Sequence, residues 1–164
     1  MDTITIDKKN ALKAHKEADG PLKKALATVF GLTWRNPIEA FKSYEEVCEA
    51  AGINPIKSLP FPTPTTKKQV SCNGLFKLET IFDEFNRDEN GDIWEPNYED
   101  KSEEKHYPWH EYVPSLRRFV YSRTDYSHTY TALGARLATN TAPKAIAIGK
   151  NFNKEWNEFL NPQI

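Results

Sequence analysis

The chain has 164 residues, 38% of them hydrophobic and 27% charged, with a formal net charge of −1. That length suffices for one buried core, and the near-neutral charge excludes a global pull toward nucleic acid or anionic membrane. Two cysteines, Cys48 and Cys72, are too few for a disulfide framework or a four-ligand zinc site, and no apolar run is long enough to cross a bilayer.

Thr3–Ile6 reads as a short edge strand or an extended arm. Asp7 then N-caps a predicted helix over 8–18, which Asp19-Gly20-Pro21 stops. Pro21 suits the first turn of a second helix over 21–30, with Leu22, Ala25, Leu26, Val29 and Phe30 on one stripe and Gly31 at its end. Residues 1–31 are therefore expected to form a Lys-rich helical hairpin, either packed on the main body or a semi-independent docking module, ahead of an α+β domain over 32–164. The polar start lacks an apolar signal core, so an intracellular chain with reduced thiols is expected.

Leu32–Lys42 is a connector. Ser43 and Glu46 have capping-box spacing and open a helix ending at Gly52, with Tyr44, Val47, Cys48 and Ala51 on its buried stripe. Cys48 is there a small core residue and not a nucleophile. Pro55, Pro60, Pro62 and Pro64 predict an extended strap. From Thr66 to Phe85, Val70, Leu75, Leu78, Ile81, Phe82 and Phe85 recur at spacings of three and four, which predicts a helix; Gly74 within it marks a kink or a close crossing.

The stretch Tyr107–Tyr130 alternates aromatics with Thr, Val and Arg, a strand pattern. Pro114 and Thr124-Asp125 divide it into three predicted strands of an antiparallel meander. Simple alternation puts Arg117, Phe119, Tyr121 and Arg123 on one face and Leu116, Arg118, Val120 and Ser122 on the other. Leu133–Leu137 reads as a final strand with Gly134 at a bulge. Pro143 then opens one last helix whose apolar residues run from Ala145 to Leu160. The expected fold class is α+β, an aromatic-rich antiparallel meander packed against helices.

Several motifs carry chemistry. Phe82–Ile93 resembles an EF-hand calcium loop, with Asn86, Asp88, Asn90 and Asp92 as ligands and Gly91 at the sharp turn. Asn97 stands where the loop over 86–97 needs a bidentate Glu, and Pro96 obstructs an exit helix, so an acidic turn between helix and strand explains the same residues. His106 and His110 are four apart, a metal spacing on a helix, but Pro108 between them argues for extended chain. No nucleophile elbow, phosphate-cradling glycine loop or defined carboxylate pair is present, and neither an enzyme nor a cofactor is expected.

Charge is uneven: residues 79–104 hold eleven acidic side chains against Arg87 and Lys101, and residues 105–164 hold eight Lys or Arg against four acidic groups. The candidate site is the aromatic-basic meander: Tyr107, Trp109, Tyr112, Arg117, Arg118, Phe119, Tyr121, Arg123 and Tyr126. One of its faces must serve as core for the helices. The other suits a protein partner or, as a second reading, single-stranded nucleic acid, whose bases stack on rings while Arg holds phosphates.

Ile4–Ala14, Tyr44–Pro55, Trp94–Tyr98, Tyr107-Pro108-Trp109 and Leu133–Leu137 together resemble small uncharacterised proteins encoded by tailed phages and mobile elements of gut Bacteroidetes. The resemblance covers most of the chain in order and carries no activity or catalytic residue. It implies a phage accessory or virion-associated protein, found in host cytoplasm or virion, whose partner is a phage structural or host protein. It also implies that Asn86–Asp92 is a variable insertion.

Overall fold

Two capping boxes set where the central helices start. Ser43 Oγ accepts from the Glu46 N–H at 3.3 Å while the Glu46 carboxylate accepts from the Ser43 N–H at 3.0 Å. Thr66 and Gln69 repeat the device at 3.2 and 3.1 Å. In this computed structural model, residues 14–15, 17–30, 36–89, 91–130 and 136–164 are described. Their order is α1 (Gly20–Phe30), α2 (Pro37–Ala40), α3 (Tyr44–Ala51), α4 (Lys67–Asn86), β1 (Lys105–Val113), β2 (Arg118–Ser127), α5 (Ala142–Asn151) and α6 (Asn153–Leu160). The second arm of the expected N-terminal hairpin is α1; residues 8–13 and 16 of the first arm, and Thr3–Ile6, lie outside the described residues.

The core forms where α3, α4 and the α5–α6 pair meet. Tyr44, Val47 and Cys48 from α3 pack with Leu78, Ile81, Phe82 and Phe85 from α4 and with Ile148, Phe152 and Trp156. Phe82 meets Trp156 and Phe85 meets Phe152 edge-on, at ring separations of 6.3 and 5.8 Å, geometries favoured by the ring quadrupoles. Gly74 marks a close crossing: a Cβ there would fall 2.5 Å from the Phe159 backbone nitrogen of α6.

Three expectations are corrected. The last helix is two helices, because Phe152 leaves helical geometry at φ −112°, ψ 33°. The bend lets α5 lie against both strands while α6 crosses α4 and β2. The strap is not extended throughout: Asn54 Oδ1 accepts from the Ile56 and Lys57 N–H groups at 3.0 and 2.8 Å and folds a turn. Asn73 then clamps Phe61, accepting from its N–H at 3.1 Å and donating to its carbonyl at 2.7 Å.

The third correction concerns the sheet, which has two antiparallel strands among the described residues. Pro114 ends β1 as expected. Thr124 and Asp125 stay inside β2, facing Pro108 and Tyr107, because pairing to β1 satisfies a backbone whose residues favour a turn only locally. Of the predicted strand Leu133–Leu137 only Arg136 and Leu137 are described, in a turn and a bend. Thr139 makes an isolated bridge to His106. The class is α+β, with aromatic rings of the hairpin packed against helices.

A candidate interaction face on the hairpin

A single extra residue decides which rings the hairpin buries. Trp109 faces Arg123 and His110 faces Tyr121, so Ser122 is the unpaired residue of a β-bulge. The bulge turns Tyr121 and Arg123 to opposite sides, which overturns the expected face of Arg117, Phe119, Tyr121 and Arg123. One side meets the helices. There the His110 ring lies 4.6 Å from Trp156, and Tyr121 and Pro108 press so closely on Gly149 that a methyl group would collide with both. Burial pushes the His110 imidazole down to about 4, partly opposed by a backbone hydrogen bond at Gly149. Phe119 shares this side with Tyr112, their rings 5.3 Å apart. Tyr126 also shares it but is exposed, between His106 and His128 at 5.8 and 5.6 Å.

The opposite side carries Tyr107, Trp109, Glu111 and Val113 from β1 and Arg118, Val120, Arg123 and Asp125 from β2. Arg123 lies over the Trp109 ring at 5.2 Å, and Tyr107 sits 6.3 Å from Trp109. Arg118, Arg123 and Glu111 are exposed, and the rings are half-buried. The Tyr107 phenol is pushed up by burial, then by Asp125 and Tyr98. The predicted site residues are thus divided: Tyr107, Trp109, Arg118 and Arg123 form one surface, Tyr112, Phe119, Tyr121 and Tyr126 belong to the other side, and Arg117 stands in the turn.

The far edge of β2 is covered by a column of asparagines. Asn157 accepts from the Phe119 N–H and donates to the Phe119 carbonyl, both at 2.8 Å. Asn153 accepts from the Tyr121 N–H at 3.2 Å, and Asn161 donates to the Arg117 carbonyl at 3.0 Å. Four helical residues rise about 6 Å and two strand residues about 6.6 Å, so this spacing lets one helix side bond alternate residues of a strand. The column closes an edge otherwise open to foreign strands and holds the hairpin at a fixed height.

Near the base of β1 the acidic segment wraps a buried cation. Lys105 is fully buried, with Nζ 3.2 Å from the Asp100 carbonyl and 3.0 Å from both the carbonyl and the carboxylate of Glu103, and 5.4 Å from the Tyr98 ring centre. Glu103 also accepts from the Trp94 indole N–H at 3.3 Å and from the Asn97 N–H at 2.8 Å. Neither Lys105 nor the asparagines emerged from sequence reasoning; the Asn-x3-Asn-x3-Asn spacing sets the three on one helix side without saying what they meet.

Three of the four candidate ligands of the EF-hand resemblance make contacts within the chain. Asn86 is buried and donates to the Ala138 carbonyl at 2.8 Å. Asp88 accepts from the Asp92 N–H at 2.9 Å, and the Arg87 guanidinium donates to the Gly91 carbonyl at 2.8 Å while pairing with Glu84 at 2.7 Å. This is a turn at the end of α4, closed by the isolated Arg87–Ile93 bridge, and the first strand begins only at Lys105; Asn90 lies outside the described residues. His106 and His110 lie in a strand and meet different partners: His106 contacts Glu104 at 3.1 Å, and His110 meets Trp156. Among the described residues no group of three or more His, Cys, Asp or Glu side chains is placed to hold a metal ion, and no helix is long and apolar enough to cross a membrane. No protein-family model matches the chain, and no curated protein or solved structure is detectably similar to it.

Proposed function

We propose that this chain is a non-enzymatic binding protein, an accessory or virion-associated component of a phage or mobile element, working through protein contacts on the Trp109 face of the hairpin. The observation that carries the reading is the Arg123–Trp109 stack with Tyr107 beside it, on the side of the hairpin opposite the one that packs on α5. Trp, Tyr and Arg dominate binding energy at protein interfaces, and a ring already half-buried loses little freedom on docking. Charges across the face alternate in sign, Arg118 beside Glu111 and Arg123 beside Asp125. Phosphates laid over it would meet both carboxylates, whereas a mixed-charge protein surface complements it. The second reading, single-stranded nucleic acid, draws on the same stack as a base platform.

Affinity capture from phage-infected host cells, with the wild-type chain and a Trp109→Ala/Arg123→Ala variant of unchanged circular dichroism, tests the proposal. A protein partner retained by the wild type and weakened about tenfold or more in the variant supports it. Identical capture by both proteins refutes it. Salt-dependent retention of a labelled single-stranded oligonucleotide, lost in the variant and without a protein partner, would transfer the function to the second reading.

A further inference from the structure

The turn joining the two strands adopts a backbone that its sequence does not suit. Leu116 N–H donates to the Val113 carbonyl at 3.0 Å and Arg117 N–H to the Pro114 carbonyl at 3.2 Å. That closure places Arg117 at φ +49°, the one positive φ of a non-glycine residue among those described. Glycine or asparagine takes this conformation with less strain, so Arg117 is poorly explained by the backbone and better explained by its side chain. Arg117 and Arg118 are both exposed, and neither side chain makes an ion pair or hydrogen bond among the described residues. Leu116 beside them is 52% exposed. The asparagine column braces the turn from below through the Asn161 bond to the Arg117 carbonyl.

We propose that this apex is a rigid docking finger for an acidic segment of a protein partner. Arg117 and Arg118 take its carboxylates, and Leu116 beside them takes an apolar side chain. This rests on the protein-binding reading above and adds the chemistry of the partner. Guanidinium groups pair with carboxylates through two parallel hydrogen bonds, and a braced finger binds without paying to order itself. Exposed Leu116 favours a polypeptide that carries an apolar side chain beside its carboxylates over a sugar–phosphate backbone.

The test is fluorescence anisotropy of a labelled synthetic peptide of alternating Glu and Leu, titrated with the full chain at low salt. Wild-type protein is expected to bind it, and Arg117→Glu/Arg118→Glu to lose binding about tenfold or more. Arg117→Gly is the informative variant: it relieves the positive φ, so its melting temperature holds or rises while its affinity falls. Failure of the wild type to bind, unchanged affinity in either apex variant, or tighter binding of a labelled single-stranded oligonucleotide than of the peptide would each overturn the proposal. If infected-cell capture depends on Trp109 and Arg123 while the apex variants behave as wild type, the protein-binding reading stands and the apex proposal alone fails.

Discussion

Asn157→Ala tests whether the asparagine column holds the hairpin. The substitution deletes the acceptor for the Phe119 N–H and the donor to the Phe119 carbonyl, each 2.8 Å from its partner. Two partly buried backbone groups are left to water or to nothing. An orphaned buried polar group costs about 1–3 kcal/mol, and partial hydration at this half-buried site brings the pair to roughly 2–3 kcal/mol. For a chain of this size that is a fall in melting temperature of about 5–10 °C. Asn153→Ala, which removes one longer bond at 3.2 Å, should cost about 1 kcal/mol. Asn161→Ala, at an exposed contact, should cost less still. Urea unfolding gives the three values, and amide hydrogen exchange at Phe119 and Tyr121 reports the edge directly. If Asn157→Ala stays within about 0.5 kcal/mol of wild type, or the three variants do not rank in this order, the column is incidental.

Four further outcomes follow from the same geometry. His110 is held down at about 4, so the folded state disfavours its protonation. Its stabilising effect is complete above the ordinary value of 6.5 and disappears as pH falls from 6.5 to 4, a loss of about 2 kcal/mol after allowing for partial exposure. His110→Gln should flatten the stability–pH curve in that window, measured by urea unfolding. Glu155 is pushed up by burial, so its folded form prefers a proton, and stability contributed below the ordinary carboxylate value is lost as pH rises; Glu155→Gln should be more favourable at pH 7 than at pH 4 in the same assay. Gly74→Ala drives a methyl group into the Glu158–Phe159 backbone and should cost about 1–3 kcal/mol in thermal unfolding, with far-ultraviolet dichroism retained. Lys105→Met removes a buried ammonium from Glu103 and two carbonyls, which should cost about 3 kcal/mol and speed hydrogen exchange across 94–104. Unchanged exchange there would show that the segment folds without it.

What the sequence disclosed was local, and what it concealed depended on distant partners. The Ser43 and Thr66 helix starts, the Gly52 stop and the α4 stripe are decided within a few residues, and the structure has them. The bulge at Ser122 has no such signature, because Tyr121 is drawn toward the gap at Gly149, far along the chain. Gly149, Asn151 and Asn153 weaken a helix around Phe152, but only the burial of its ring fixes the bend there. Asparagines spaced by four on a helix read as solvated, and their purpose appears only when a strand edge lies beside them. Lys105 was grouped with the basic segment that follows, yet its charge is spent inside the acidic segment that precedes it.

The division of the hairpin into a core side and a binding side therefore rests on one inserted residue. Strict alternation would place Tyr121 and Arg123 together, forcing either a guanidinium into the helix contact or a large ring into solvent. The first would bury an unpaired charge against Trp156, and the second would empty the space over Gly149. With Ser122 left out of the pairing, Tyr121 fills that space and Arg123 is free to cover Trp109 on the other side. A two-stranded sheet alone is marginal in water; here α5 covers one side and the asparagines close one edge. On the remaining side Trp109, Arg123 and Arg118 stand together.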